Sequence, residues 1–194
     1  MIVDHEKGEI QVKIVYYGPA MSGKTTSIKQ LFKYFGEVNK LKSIENTVGR
    51  TLFFDFGILK FKGTNWNLKF LVYSATGQDF YASTRPATLR GVDGIIFIID
   101  SQRICLENNI FSWKELLNLF GEEIYNIPLV FSLNKYDLEN IKKLANDDVK
   151  EIVEHEKFEK IFINKTVAAT GKGVLEAFKM LINLIFPKQN IIAK

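Results

Sequence analysis

The stretch GPAMSGKT at residues 18–25 holds two glycines, a lysine and a hydroxyl residue at the spacing G-x-x-x-x-G-K-[ST]. Each residue type suits a polyphosphate. Gly18 and Gly23 tolerate backbone angles that turn the N–H groups of Ala20, Met21, Ser22, Gly23, Lys24 and Thr25 toward one anion, and a following helix adds its positive end. The Lys24 ammonium would reach the β and γ phosphates, and the Thr25 hydroxyl would sit on Mg²⁺. Pro19 and Thr26 complete the expected nucleotide-binding loop. A second constellation, NKYD at 134–137, decides the base. The Asp137 carboxylate can accept hydrogen bonds from both the ring N–H and the exocyclic amine of guanine, a donor pair that adenine lacks. Asn134 can bond the purine edge and brace the phosphate loop, and the Lys135 stem can cover the base face. In TVAATGKG (166–173) the expected contacts are Val167 and Ala168, whose backbone N–H would meet the guanine carbonyl.

These residues need a scaffold, and the periodicity supplies one. EIQVKIVYY (9–17) reads as a strand running into the phosphate loop, and KTTSIKQLFKYF (24–35) then places Ile28, Leu31, Phe32 and Phe35 at helical spacing. TLFFDFGILKFKG and WNLKFLVYSA flank KGTN, so an antiparallel hairpin is expected over about 51–74. VDGIIFIID (92–100) and IPLVFSLN (127–134) are the continuous apolar runs that a strand covered on both faces requires, and KIFINKTVA offers a last strand. Helical patterns fall at about 103–122, 146–158 and 173–186. Alternation of this kind predicts an α/β fold: a mostly parallel central sheet with one antiparallel edge hairpin and helices on both faces.

Composition narrows the class. With 194 residues, no linker and no repeat, a single domain is expected. The net charge of +4 arises from 26 basic residues spread among 22 acidic ones, which argues against direct nucleic-acid binding. The single cysteine, Cys105, excludes an internal disulfide and a multi-cysteine metal site, so a cytoplasmic location is expected. MIVDHEKGEI lacks the apolar core of a signal peptide, NIIAK lacks a prenylation box, and no apolar run nears the ~18 residues of a spanning helix. No intrinsic membrane anchor is therefore expected.

Taken together, KIVYYGPAMSGKTT, RTLFFDF, YSATGQDFYASTR, LRGVDGIIFIIDSQ and NKYDL resemble the Ras-like small GTPases, and more closely the MglA-type GTPases of prokaryotes. The resemblance covers about residues 10–186. It implies the three-layer fold of a P-loop NTPase, with a six-stranded sheet and an additional strand in some members. It also implies a molecular switch that binds GTP and GDP with Mg²⁺ and hydrolyses GTP to GDP and phosphate. By that resemblance Thr51 is the second direct Mg²⁺ ligand, with Thr47 the runner-up. Gly77 lies in the second switch segment, and Gln78 orients the attacking water. Arg50 acts as an arginine finger supplied in cis, and a roadblock-fold dimer of the MglB type is the implied activator.

Two positions depart from the Ras-like pattern. That pattern has an aspartate linked to magnesium in Asp-x-x-Gly-Gln, and this chain has Ser74. Thr51, Phe53 and Asp55 alternate onto one face of a strand, so Asp55 is the expected substitute in the metal's second shell. Ala20 stands where such loops commonly have glycine, and its methyl group crowds the glutamine, the arginine or the attacking water. Slow intrinsic hydrolysis is the expectation. The alternative reading is an interaction module loaded with GTP or GDP that hydrolyses little or none.

Overall fold

A computed structural model of the chain describes residues 1–45, 51–77 and 83–187, with the side chains of 43–45 and 51–54 outside that description. Strand β1 (Ile2–Asp4) is a short antiparallel partner of β2 (Glu9–Tyr17). β2 feeds α1 (Lys24–Tyr34) through the phosphate loop. There follow β3 (Leu41–Glu45), β4 (Thr51–Phe61) and β5 (Asn67–Ala75). Next come the short α2 (Arg85–Leu89), β6 (Gly94–Asp100), α3 (Leu106–Phe120) and β7 (Leu129–Asn134). α4 (Asn146–Val153), β8 (Ile161–Lys165) and α5 (Val174–Ile185) close the chain.

These strands form one eight-stranded sheet in the order β3-β4-β5-β2-β6-β7-β8, with β1 beside β2. The pairs β2–β5, β2–β6, β6–β7 and β7–β8 are parallel, while β3–β4 and β4–β5 are antiparallel. The β4–β5 hairpin matches the expected span, but β3 pairs outside it and forms the sheet edge. LKSIE has no strong strand signature of its own, and only the pairing with β4 makes it one.

Side-chain alternation splits the core in two. Val12, Ile14 and Tyr16 of β2 point to the face covered by α1 and α5, where Phe32, Phe70 and Phe178 are buried. Val15 and Tyr17 point to the other face, where Trp113 of α3 and Val149 of α4 pack on Phe97 and Phe131. Burial on both faces explains why GIIFIID and LVFSLN contain hardly any polar residue. The parallel strands all end on the same edge of the sheet, and there the candidate site lies.

Candidate nucleotide site

The phosphate loop takes its shape from its two glycines. Gly18 has φ 130° and Gly23 has φ 105°, in the region that L side chains avoid. Space excludes a side chain as well: a Cβ on Gly18 would lie 2.3 Å from the Ile98 carbonyl oxygen, and one on Gly23 would lie 2.1 Å from Asn134 Nδ2. Met21 also adopts positive φ, at 60°, and its side chain is exposed. Ala20 is exposed, whereas Pro19 and Ser22 are buried. Lys24 is buried, and its Nζ donates to the carbonyls of Gly18 (2.8 Å) and Pro19 (2.6 Å), which holds the ammonium inside the loop. Burial, helped by the nearby Arg85 cation and opposed by Asp55, pushes the Lys24 ammonium down to about 7. Thr26 is exposed on the first turn of α1.

Thr25 faces β4. Its hydroxyl donates to Asp55 Oδ2 at 2.6 Å, and Asp55 is fully buried rather than turned to water. In the antiparallel register Asp55 of β4 lies directly opposite Ser74 of β5, which in turn pairs with Tyr16 just before the phosphate loop. Both residues thus stand at the sheet edge where the phosphate loop begins. Ser74 Oγ is buried without a hydrogen-bond partner. Gly77, just past β5, packs on the phosphate loop so closely that a Cβ there would be 2.4 Å from Ala20 N. Thr51 begins β4, but its side chain lies outside the described residues, as do Thr47, Arg50 and Gln78 entirely.

The second half of the site centres on Asn134, the last residue of β7 and nearly inaccessible. Its Nδ2 donates to the Ser22 carbonyl at 2.7 Å. Its Oδ1 accepts from Ala168 N–H at 2.8 Å and from Thr166 Oγ1 at 3.2 Å. The Ala168 amide, expected to face a guanine carbonyl, is therefore engaged by Asn134 in this structure. Val167 is buried beside it, with its N–H donating to the Lys172 carbonyl at 2.9 Å. Lys135 has φ 61°, and its Nζ pairs with Asp100 Oδ2 at 2.6 Å. Asp137 is exposed at the mouth of the edge.

Sequence reasoning missed two partners here. Asp100 ends β6 and fixes the Lys135 ammonium; Arg85 of α2 pairs with Glu115 of α3. Asp100 and Arg85 lie in stretches that carry the resemblance, but their pairings span 35 and 30 positions and only the topology brings the partners together.

A parallel sheet whose C-terminal edge gathers a phosphate loop and an Asn-Lys-x-Asp turn, tied together by one asparagine, defines a guanine-nucleotide-binding P-loop protein. The ADP-ribosylation factor family model matches residues 1–185, and the chain belongs to that family as an MglA-type, Ras-like small GTPase. It is 35% identical over 189 residues, 94% of each chain, to the mutual gliding-motility protein MglA of Myxococcus xanthus (strain DK1622). The protein is accordingly a GTP-binding switch and a GTP hydrolase. Among the described residues no helix is long and apolar enough to cross a membrane.

Proposed function

We propose that residues 1–194 form a single G domain, with its core at about 10–186, that hydrolyses GTP slowly and signals its nucleotide state to protein partners. The segments carrying Thr51 and Gln78 present that state. In this reading Lys24 neutralises the phosphates, Gln78 orients water, and Arg50 stabilises charge on the transferred phosphoryl group. Asp137, Asn134, Lys135, Val167 and Ala168 hold the base. A roadblock-fold dimer of the MglB type is the proposed activator, and the cytoplasm the proposed location.

Magnesium fits the residues on this edge. Thr25 presents a hydroxyl against a buried carboxylate, and Ser74 adds a buried polar atom without a partner. Thr25 and Thr51 would hold the ion directly. When bound, the ion would neutralise charge on the β and γ phosphates. Asp55 would supply the negative charge that Ser74 lacks. The exchange has an electrostatic logic: the two residues face each other across the strands, and a second carboxylate at 74 would repel the first.

The observation that carries this reading is the Asn134 bridge, which sets the guanine turn at a fixed place beside the phosphate loop. The test is calorimetry of GTP, GDP and ATP binding to the wild type and to Asp137→Ala. Tight binding of guanine nucleotides alone, with that preference lost in the variant, is the expected result. Equal binding of ATP and GTP by the wild type would sink it.

A further inference from the structure

Arg85 is a charged side chain buried at the start of a five-residue helix, only 4% exposed. Burying a guanidinium costs several kcal/mol unless its donors are met. Nε donates to the Thr76 carbonyl at 2.9 Å, and Nη1 donates to both carboxylate oxygens of Glu115. Glu115 in turn accepts from the Tyr17 hydroxyl at 2.7 Å.

The chain of contacts closes a ring around the phosphate loop. Tyr17 is the last residue of β2, directly before Gly18. Glu115 projects from α3, and Arg85 reaches from α2 to the end of β5. The Thr76 carbonyl belongs to the peptide plane that carries the Gly77 amide, and Gly77 in turn abuts the Pro19 and Ala20 backbone, so close that a Cβ would sit 2.4 Å from Ala20 N. Holding that carbonyl therefore fixes the direction of the Gly77 N–H beside the phosphate loop. A planar guanidinium with donors in a rigid fork suits this task; a lysine has one flexible nitrogen.

We propose that Arg85 and Glu115 are positioning residues for GTP hydrolysis: referenced to the phosphate-loop strand through Tyr17, they lock the Thr76–Gly77 peptide against Ala20 and so hold the Gly77 N–H in one direction at the phosphate loop. The inference rests on the GTPase reading of the site. Neither side chain needs to touch nucleotide. A pair serving only to hold α2 onto α3 would affect folding and binding together, whereas an aiming device affects the chemical step selectively.

The experiment measures single-turnover GTP hydrolysis, GDP affinity and thermal stability for the wild type, Glu115→Gln, Arg85→Lys and the double variant. Misplacement by about 1 Å is enough for up to a 10²-fold loss in rate. Hydrolysis is expected to fall between about tenfold and 10²-fold in each single variant, with GDP affinity held within about twofold. The double variant should fall no further than the worse single one, as residues acting as a unit do. Arg85→Ala adds a rescue test. Arg85 and Glu115 border a pocket of about 150 Å³, shared with Pro19, Ala20, Gly77 and Ser112, which admits a guanidinium ion. Millimolar guanidinium should restore hydrolysis in Arg85→Ala without changing GDP affinity. The proposal is overturned if Glu115→Gln binds GDP normally and hydrolyses GTP at the wild-type rate, or if rate falls only in step with affinity and melting temperature. A wild type that binds guanine nucleotides but shows no turnover would overturn the hydrolase reading itself, a result separable from either of these.

Discussion

Asp55 is an aspartate with no access to water, a costly arrangement unless its charge is used. Its Oδ2 already takes the Thr25 hydroxyl, so the near-isosteric Asp55→Asn keeps the volume and one acceptor while removing the negative charge and turning the second oxygen into an amide donor. Loss of an outer-shell partner typically weakens metal binding by 10–100-fold, and about that loss of Mg²⁺ affinity is expected. Titrating Mg²⁺ against the release of a fluorescent GDP checks it; an unchanged magnesium dependence would remove Asp55 from the metal's surroundings. Lys24 supports a second prediction. Protein groups alone push its ammonium down to about 7 from 10.5, chiefly through burial. Its folded value is thus depressed, so the unfolded chain binds more protons between those two values and stability rises with pH across that window. An adjacent polyphosphate reverses the shift, because a negative charge favours the ammonium. GDP binding at pH 8 should therefore take up close to one proton. Calorimetry in buffers of differing ionisation enthalpy measures this uptake, and Lys24→Met should abolish it in whatever binding remains.

At the level of elements, contact between β4 and α1 sets how near the Asp55 strand lies to the phosphate-loop helix. Gly57 makes that contact possible: a Cβ there would lie 2.3 Å from Phe32 Cζ, and Phe32 is fully buried. Gly57→Ala should destabilise the fold by about 1–3 kcal/mol through overpacking. Phe32→Leu in the same chain should recover part of that loss, since residues in contact do not behave additively. Urea unfolding of the two single variants and the double variant decides it, strict additivity being the contrary result. The elements also divide by how well the sequence announced them. β2, β6, β7, α1, α3 and α5 bury continuous or periodic apolar sets, and so were legible. β1 with three residues and α2 with five are too short for a pattern to form, and β3, long enough, lacks an apolar alternation and depends on its neighbour β4. The site shows the same division. GPAMSGKT and NKYD are local, whereas Asp100 with Lys135, and Arg85 with Glu115 and Tyr17, meet only once the sheet order is known.

Across the whole molecule, the site exists because loops far apart in sequence leave the same sheet edge. Asn134 is where they are joined: one amide reaches Ser22 in the phosphate loop, and also Thr166 and Ala168 after β8. The bridge spans 112 positions in one direction and 34 in the other. Asn134 also determines why position 23 must be glycine, since its Nδ2 occupies the space a Cβ would take. Truncation to Asn134→Ala leaves a carbonyl, a hydroxyl and an amide without their partner in a buried place. Each buried group left unmet costs about 1–3 kcal/mol, and a total loss of about 2–4 kcal/mol allows for water entering the gap. The distinctive outcome lies in its reach. Hydrogen exchange should show the amides around Ser22 and around Ala168 losing protection together, with GDP affinity falling in parallel. A change confined to residues near 168 would mean that the two loops hold their places independently, and that the edge is a set of separate contacts instead of one joined frame.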